Sequence, residues 1–496
     1  MLFNSYQFIL LFLPVLLLLY WLAVQVARDR LGRLLLVSSL LFYGLWGIGF
    51  LVLLLCMISL NCAFGQVLAA MPEQGEGRFS RKHVLTLALV VNLAPLCWFK
   101  YANFFIDNIN TVLGTAITHQ SVGLPLGISF YTFLQIAYLV TVYRRQIEPV
   151  GLLQYAHFAS FFPYVISGPI VRYPQFGRQL ADPQPLRIDG IARAITFFVI
   201  GLAKKVLLAD SIAAYANSIF NAARQGFPLT SAEAWVGSLA YTFQLYFDFS
   251  GYTDMAIGVA LFFGMNLPDN FDSPYKSTGI VDFWRRWHIT LSLWLRDFLY
   301  IPLGGSRAGK LKQYRNLLLT MLLGGLWHGA GWTFIIWGGV HGAMLCINHF
   351  WKAWAAGHIS EKALNTPVLR IISIGFTFIC INLAWVLFRA DSMHAAGVMY
   401  SSMAGIFSSD FSGGWSALFA NNYVRDVWPV IYLAVSGLLV WCFPATRQLV
   451  NGTRADGTRP WLVWQPDKRW AAGLAALAFG ALLLLSRKTV FLYFQF

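Results

Sequence analysis

His328 lies in MLLGGLWHGAGWTFIIWGGVHG, part of an apolar stretch from Leu317 to Leu345 interrupted only by glycines, threonine and a second histidine, His341. An imidazole in hydrocarbon costs free energy unless it has a partner or a task, so an ionisable side chain at that depth is a functional-site candidate. With an ordinary pKa of about 6.5, histidine is suited to remove a proton from an alcohol, a step worth roughly 10²- to 10⁴-fold in rate. Gly324, Gly325, Gly329 and Gly331 strip side chains from around His328, which lets another helix or a substrate chain approach closely. The competing role is a hydrogen bond across a helix interface. His341, thirteen residues on, projects about 220° away around an ideal helix, so a straight helix keeps it out of the same site.

A second histidine with chemical promise, His288, sits in the segment from Asp282 to Pro302, DFWRRWHITLSLWLRDFLYIP. Read as one helix, Trp284, Trp287, Leu291, Trp294, Leu295 and Phe298 form an apolar stripe, and Arg285, His288, Ser292 and Arg296 form a polar face. Such a helix lies along a membrane interface, since tryptophan favours the headgroup level and arginine is costly at the bilayer centre. Either the stripe faces lipid while the arginines snorkel, or the polar face lines the mouth of a cavity. In the second case Arg285 and Arg296 are candidates to hold the phosphates of an anionic cofactor, and His288 joins the chemistry. Asp248 and Asp254, in LYFDFSGYTDMAIG, read as members of a structural polar network with Gln244, Ser250 and Tyr252. No GxSxG or phosphate-cradling loop is present, which disfavours a serine esterase or an ATP-driven pump. The six cysteines show no CxxC or zinc spacing, so neither a disulfide framework nor a metal site is expected.

The elements that must position these groups are apolar. Of the 496 residues 58% are hydrophobic and 11% charged, with a mean hydropathy of +0.60, where soluble domains carry about 25% charged residues. This excludes a soluble globular enzyme and a disordered chain. The net charge of +15 fits basic loops at a cytoplasmic membrane face rather than a nucleic-acid surface. Apolar runs near 6–25, 34–70 (two crossings), 84–102, 121–142, 153–170, 190–215, 233–265, 316–350, 368–388, 428–446 and 470–487 predict about ten to twelve crossings in one domain over 1–496. The first run lacks a basic leader and reads as a retained span. Arg28, Arg30 and Arg33, like Arg78, Arg81 and Lys82, mark cytoplasmic loops, which places the N-terminus outside. The segment 285–315 holds seven Lys/Arg against one acid, Asp297, and belongs on the same side. Leu124-Pro125-Leu126-Gly127 and Ser167-Gly168-Pro169 put helix breakers at membrane depth, read as kinks or as broken backbone buried in protein. The stretch 404–427 is the best candidate for a long external loop.

FWRRWHITLSLWLRDFLYIPLGG, followed by LLGGLWHGAGWTFIIWGGVHG, resembles the membrane-bound O-acyltransferase family, in particular the alginate-type bacterial branch that O-acetylates exopolysaccharides. The opening MLFNSYQFILLFLP, WFKYANFF, LPLGISFYTF, QLYFDFSGYTDMAIG and the closing FLYFQF carry the resemblance nearly end to end. It implies an all-α polytopic fold, a ring of tilted helices with interfacial and re-entrant helices around a central tunnel. The family's catalytic histidine falls on His328 and the branch's second histidine on His288. The resemblance further implies acetyl-CoA as cytoplasmic donor, no permanently bound cofactor, a hydroxyl acceptor on the periplasmic side, and a bacterial inner-membrane location. It also implies partners among periplasmic acetyltransferase-like proteins and polysaccharide secretion machinery. Arg285 and Arg296 are assigned to the donor's phosphates from their charge alone. The alginate branch carries a histidine where this chain has Tyr164, which leaves cellulose or another secreted glycan open. The rivals from other classes are a transporter or channel, and a scaffold for a secretion complex.

Overall fold

A computed structural model of the chain describes residues 1–72, 80–121, 123–181, 188–307, 309–360, 366–405, 427–454, 457–486 and 492. The expected external loop at 404–427 and, apart from Leu492, the closing FLYFQF lie almost wholly outside the described residues. Regular structure among the described residues is helical, save one isolated bridge between Phe271 and Trp287. Four helical stretches, Gln7–Val26, Ile48–Ala70, Arg81–Leu113 and Pro367–Arg389, are long and apolar enough to cross a bilayer, and three shorter apolar helices accompany them. Their most apolar windows are at most 44% buried. Leu10, Leu18, Leu87 and Ile371 stand exposed on them; a surface this apolar is solvated by lipid. Cys56, Cys97 and Cys442 are likewise exposed on apolar helices rather than packed inside.

The chain divides into two compact units, one made of Met1–Val199 with Tyr252–Pro268 and the other of Ile200–Gly251 with Asp269–Phe496. The first contains α1 (Leu13–Val26), α2 (Leu31–Gly44), α3 (Ile48–Ala70), α4 (Arg81–Leu96), α5 (Ala102–Leu113), α6 (Ile128–Tyr143), α7 (Leu152–Ser160), α8 (Tyr173–Ala181) and most of α9 (Ile188–Ala203). Buried amides cross-link α3, α4 and α6: Asn92 Nδ2 donates to Asn61 Oδ1 at 2.7 Å and Asn61 Nδ2 to Gln135 Oε1. Such bonds join helices where lipid offers no hydrophobic drive between them. The two breaker motifs meet. Gly127 adopts φ +71° to start α6, and a Cβ there would lie 2.5 Å from the Val165 carbonyl oxygen. The chain from Phe161 to Val171 is non-helical and wholly buried, so Ser167-Gly168-Pro169 is broken backbone enclosed by protein; Leu124-Pro125-Leu126-Gly127 is non-helical chain leading into α6, with Pro125 buried and Leu124 exposed. Tyr164, inside this segment, donates its hydroxyl to the Phe158 carbonyl and is a packing residue.

The second unit begins at Ile200, in the last turn of α9, and continues through a π-turn at Lys204–Ala209. It contains α10 (Asp210–Arg224), the first part of α11 (Ser231–Phe262), α12 (Ile280–Arg286), α13 (Ile289–Leu295), α14 (Lys310–His328) and α15 (Trp332–His358). After these come α16 (Pro367–Arg389), α17 (Met393–Met403), α18 (Trp428–Cys442), α19 (Thr446–Asn451) and α20 (Lys468–Leu484). The apolar run 316–350 is not one span but a helical hairpin. The α14 helix stops at His328, the backbone is extended at Gly329 and Gly331, and α15 packs back along α14. The close approach is made by glycine: a Cβ on Gly338 would sit 2.2 Å from the Met321 carbonyl oxygen, and one on Gly325 the same distance from that of Phe334. The glycines seen in the sequence therefore admit the next helix.

Candidate active site

The site is built where α14 ends. His328 is its last residue and is 5% exposed. Its ring is enclosed by Trp327 (4.9 Å between ring centroids), by Trp337 of α15 (5.2 Å) and by Phe388 of α16 (5.2 Å). His288 lies 6.4 Å from it, centroid to centroid, and is completely buried against Phe249 of α11 at 4.7 Å. At this centroid separation the two imidazoles are near enough to act on one substrate hydroxyl, provided a ring nitrogen of each faces it.

His288 is brought inward by a break that the sequence pattern hides. The segment 282–302 is two short helices and a π-turn (Arg296–Tyr300), with His288 between them at φ +43°. A strand-like strap holds the break on both sides: the Asp272 N–H donates to the Arg286 carbonyl at 3.0 Å, and the Ile289 N–H donates to the Asn270 carbonyl at 3.0 Å. The Asn270 side chain also accepts from the Thr290 hydroxyl at 2.6 Å. Left-handed backbone at a non-glycine residue is sparsely populated and persists only where the surroundings enforce it, as at functional sites.

This break corrects the amphipathic-helix expectation on both faces. Trp284, Trp287, Leu291, Trp294 and Leu295 are buried in protein rather than laid on lipid. The polar face divides, with Arg285 and Arg296 exposed and His288 interior. Arg296 is held by Asp297 at 2.6 Å, and Arg286 by Asp282 at 2.8 Å. Arg285 forms no such ion pair among the described residues. His341 lies outside the His288–His328 pair, as expected, but is linked to it through one ring: it sits 4.7 Å from Trp337, the ring that edges His328.

Sequence reasoning missed Lys205. This buried lysine bridges Asp248 at 2.5 Å and Asp210 at 2.8 Å, and Asp248 Oδ2 accepts the Leu492 N–H at 3.0 Å. Asp248 thus has the structural role expected of it, though its partner is a cation 43 positions earlier rather than Gln244 or Ser250. Asp254 belongs to the other compact unit.

Two buried imidazoles in an aromatic cage beside a helical hairpin suit proton transfer to or from a hydroxyl. Comparison with known proteins gives this geometry a family: the profile of the membrane-bound O-acyltransferases matches residues 39–388. The chain belongs to that family. Among its relatives, a probable alginate O-acetylase of Azotobacter vinelandii is 43% identical over 413 residues, covering 81% of this chain and 78% of the relative. A peptidoglycan O-acetyltransferase of Helicobacter pylori is 37% identical over 537 aligned positions, covering 100% and 98%. A teichoic acid D-alanyltransferase of Bacillus subtilis is 30% identical over 270 residues, covering 51% and 66%. The protein is therefore a multi-pass membrane acyltransferase. Its matched region contains the His288 and His328 motifs, the hairpin and the aromatic cage.

Proposed function

We propose that the protein is a bacterial inner-membrane O-acetyltransferase. It takes acetyl from acetyl-CoA supplied on the cytoplasmic side and passes it to a hydroxyl presented from the periplasmic side, for O-acetylation of a secreted or envelope polysaccharide, directly or through a partner protein. The observation that carries this reading is the buried pair His288 and His328, 6.4 Å apart among aromatic rings. The acetylases that resemble the chain over most of its length support the acyl group and the polymer class. Alginate, peptidoglycan and cellulose all offer the hydroxyls required.

In this mechanism His328 takes the hydroxyl proton while the oxygen attacks the thioester carbonyl. The C–O bond forms, the C–S bond breaks, and the proton leaves on the CoA thiol. His288, across the gap, orients the hydroxyl. The cage excludes water, which suppresses hydrolysis of the thioester. Arg285 is the stronger candidate for the CoA phosphates, because Asp297 already occupies Arg296.

The test is His328→Ala in cells making the polymer, with membrane insertion and amount confirmed. Loss of polymer acetyl at unchanged polymer yield supports the reading. Full acetylation ends it, and a parallel loss of polymer returns the scaffold alternative.

A further inference from the structure

His341 is completely buried and sits outside the reacting pair, yet it touches both arms that carry it. On one side the Trp284 indole N–H donates to its Nδ1 at 3.2 Å. Trp284 lies on α12, four positions before His288. On the other side the His341 ring packs 4.7 Å from Trp337, which meets the His328 ring edge-on at 5.2 Å and 89°. The Trp284 bond requires a lone pair on Nδ1, so the ring's hydrogen is on Nε2. Among the described residues that Nε2 has no hydrogen-bond partner. A buried donor left so costs about 1–3 kcal/mol, a cost that Leu or Phe in the same cage would not carry. What the imidazole offers in return is an acceptor for Trp284.

We propose that His341 is a positioning residue: through Trp284 and Trp337 it sets the spacing between His288 and His328, and so the geometry of acetyl transfer. The proposal rests on the acetyltransferase reading above. The bond ties the short α12 segment to the glycine-packed hairpin, an inter-element link that neither α12 nor α15 makes by backbone hydrogen bonding. Misplacement of a reacting group by about 1 Å can cost on the order of 10²-fold in rate.

The experiment measures acetyl-CoA turnover by purified full-length protein with its acceptor system, together with the amount and thermal midpoint of each variant. His341→Leu, His341→Gln, Trp284→Phe and the double variant Trp284→Phe/His341→Leu are compared, with His328→Ala as reference. His341→Leu should lower kcat by about 10- to 100-fold with KM changed less than about twofold. His341→Gln, which keeps an acceptor, should recover most of that loss. Trp284→Phe should resemble His341→Leu, and the double variant should lose no more than either single one. If the unsubstituted protein turns over no acetyl-CoA, the parent reading falls and takes this proposal with it. If it does and His328→Ala does not, the parent reading stands. The proposal alone is then overturned by a His341→Leu kcat within about twofold of the original, by a glutamine variant no better than leucine at equal stability, or by multiplicative losses in the double variant. Should His341→Leu not accumulate, Trp284→Phe reads the same bond.

Discussion

At the scale of single residues, His288 has two separable properties, an imidazole and a left-handed backbone at φ +43°. Asparagine tolerates that backbone better than alanine, for which the left-handed region costs about 1–2 kcal/mol. His288→Asn should therefore accumulate and melt close to the original protein while acetyl transfer falls by roughly 10²-fold, as expected for loss of the group that orients the attacking hydroxyl. His288→Ala should lose both transfer and thermal midpoint. Equal activity in His288→Asn would remove His288 from the chemistry and leave it a backbone role. His328 was legible in the sequence as a polar group in an apolar stretch, and His288 through the motif that resembles the family's. The inward turn of His288 was not, because periodicity places Arg285, His288, Ser292 and Arg296 on one face. The strap that breaks the helix, Asn270 to Asp272, carries no periodic signal at all.

At the scale of elements, the glycines around His328 were legible as small residues, but not which surface they admit. In the fold they seat α15 on α14, and that same turn-back, which a straight-helix projection does not contain, is what links His341 to the site through Trp337 while leaving it outside the histidine pair. Gly338→Leu places side-chain carbon where the Met321 carbonyl oxygen lies 2.2 Å from the ideal Cβ position. The hairpin must then open, and the variant should show a lower thermal midpoint in detergent and little acetyl transfer. A normal midpoint would mean that the hairpin is not closely packed there. The Lys205 bridge offers a second check on how this unit is held. Removing one partner of a buried ion pair leaves uncompensated charge and costs about 3–5 kcal/mol. Lys205→Met should thus accumulate poorly, while Lys205→Met combined with Asp248→Asn and Asp210→Asn should recover much of the loss. Such a partner was invisible from sequence because only the fold brings positions 205, 210 and 248 together.

At the scale of the whole molecule, composition was the most legible feature: a +15 chain with 11% charged residues has to place its cations at a membrane face. The segment 285–315, with seven Lys/Arg against one acid, contains His288, and that proximity is the physical reason to look there for a polyanionic donor. Of the cations nearest His288, Arg286 and Arg296 are engaged by carboxylates while Arg285 is exposed. A single guanidinium–phosphate contact is worth about 1.5–3 kcal/mol, so Arg285→Glu should raise the KM for acetyl-CoA by at least about tenfold with kcat little changed. Arg296→Gln, whose charge is already shared with Asp297, should raise it less. Because Arg285 faces solvent, the contact is screened over a Debye length of about 10 Å at 0.1 M salt. The KM of the original protein should therefore climb with ionic strength and approach that of Arg285→Glu. A donor KM that ignores both salt and the sign of residue 285 would mean that the phosphates are held elsewhere, and would detach the basic segment from the donor while leaving the histidine pair in place.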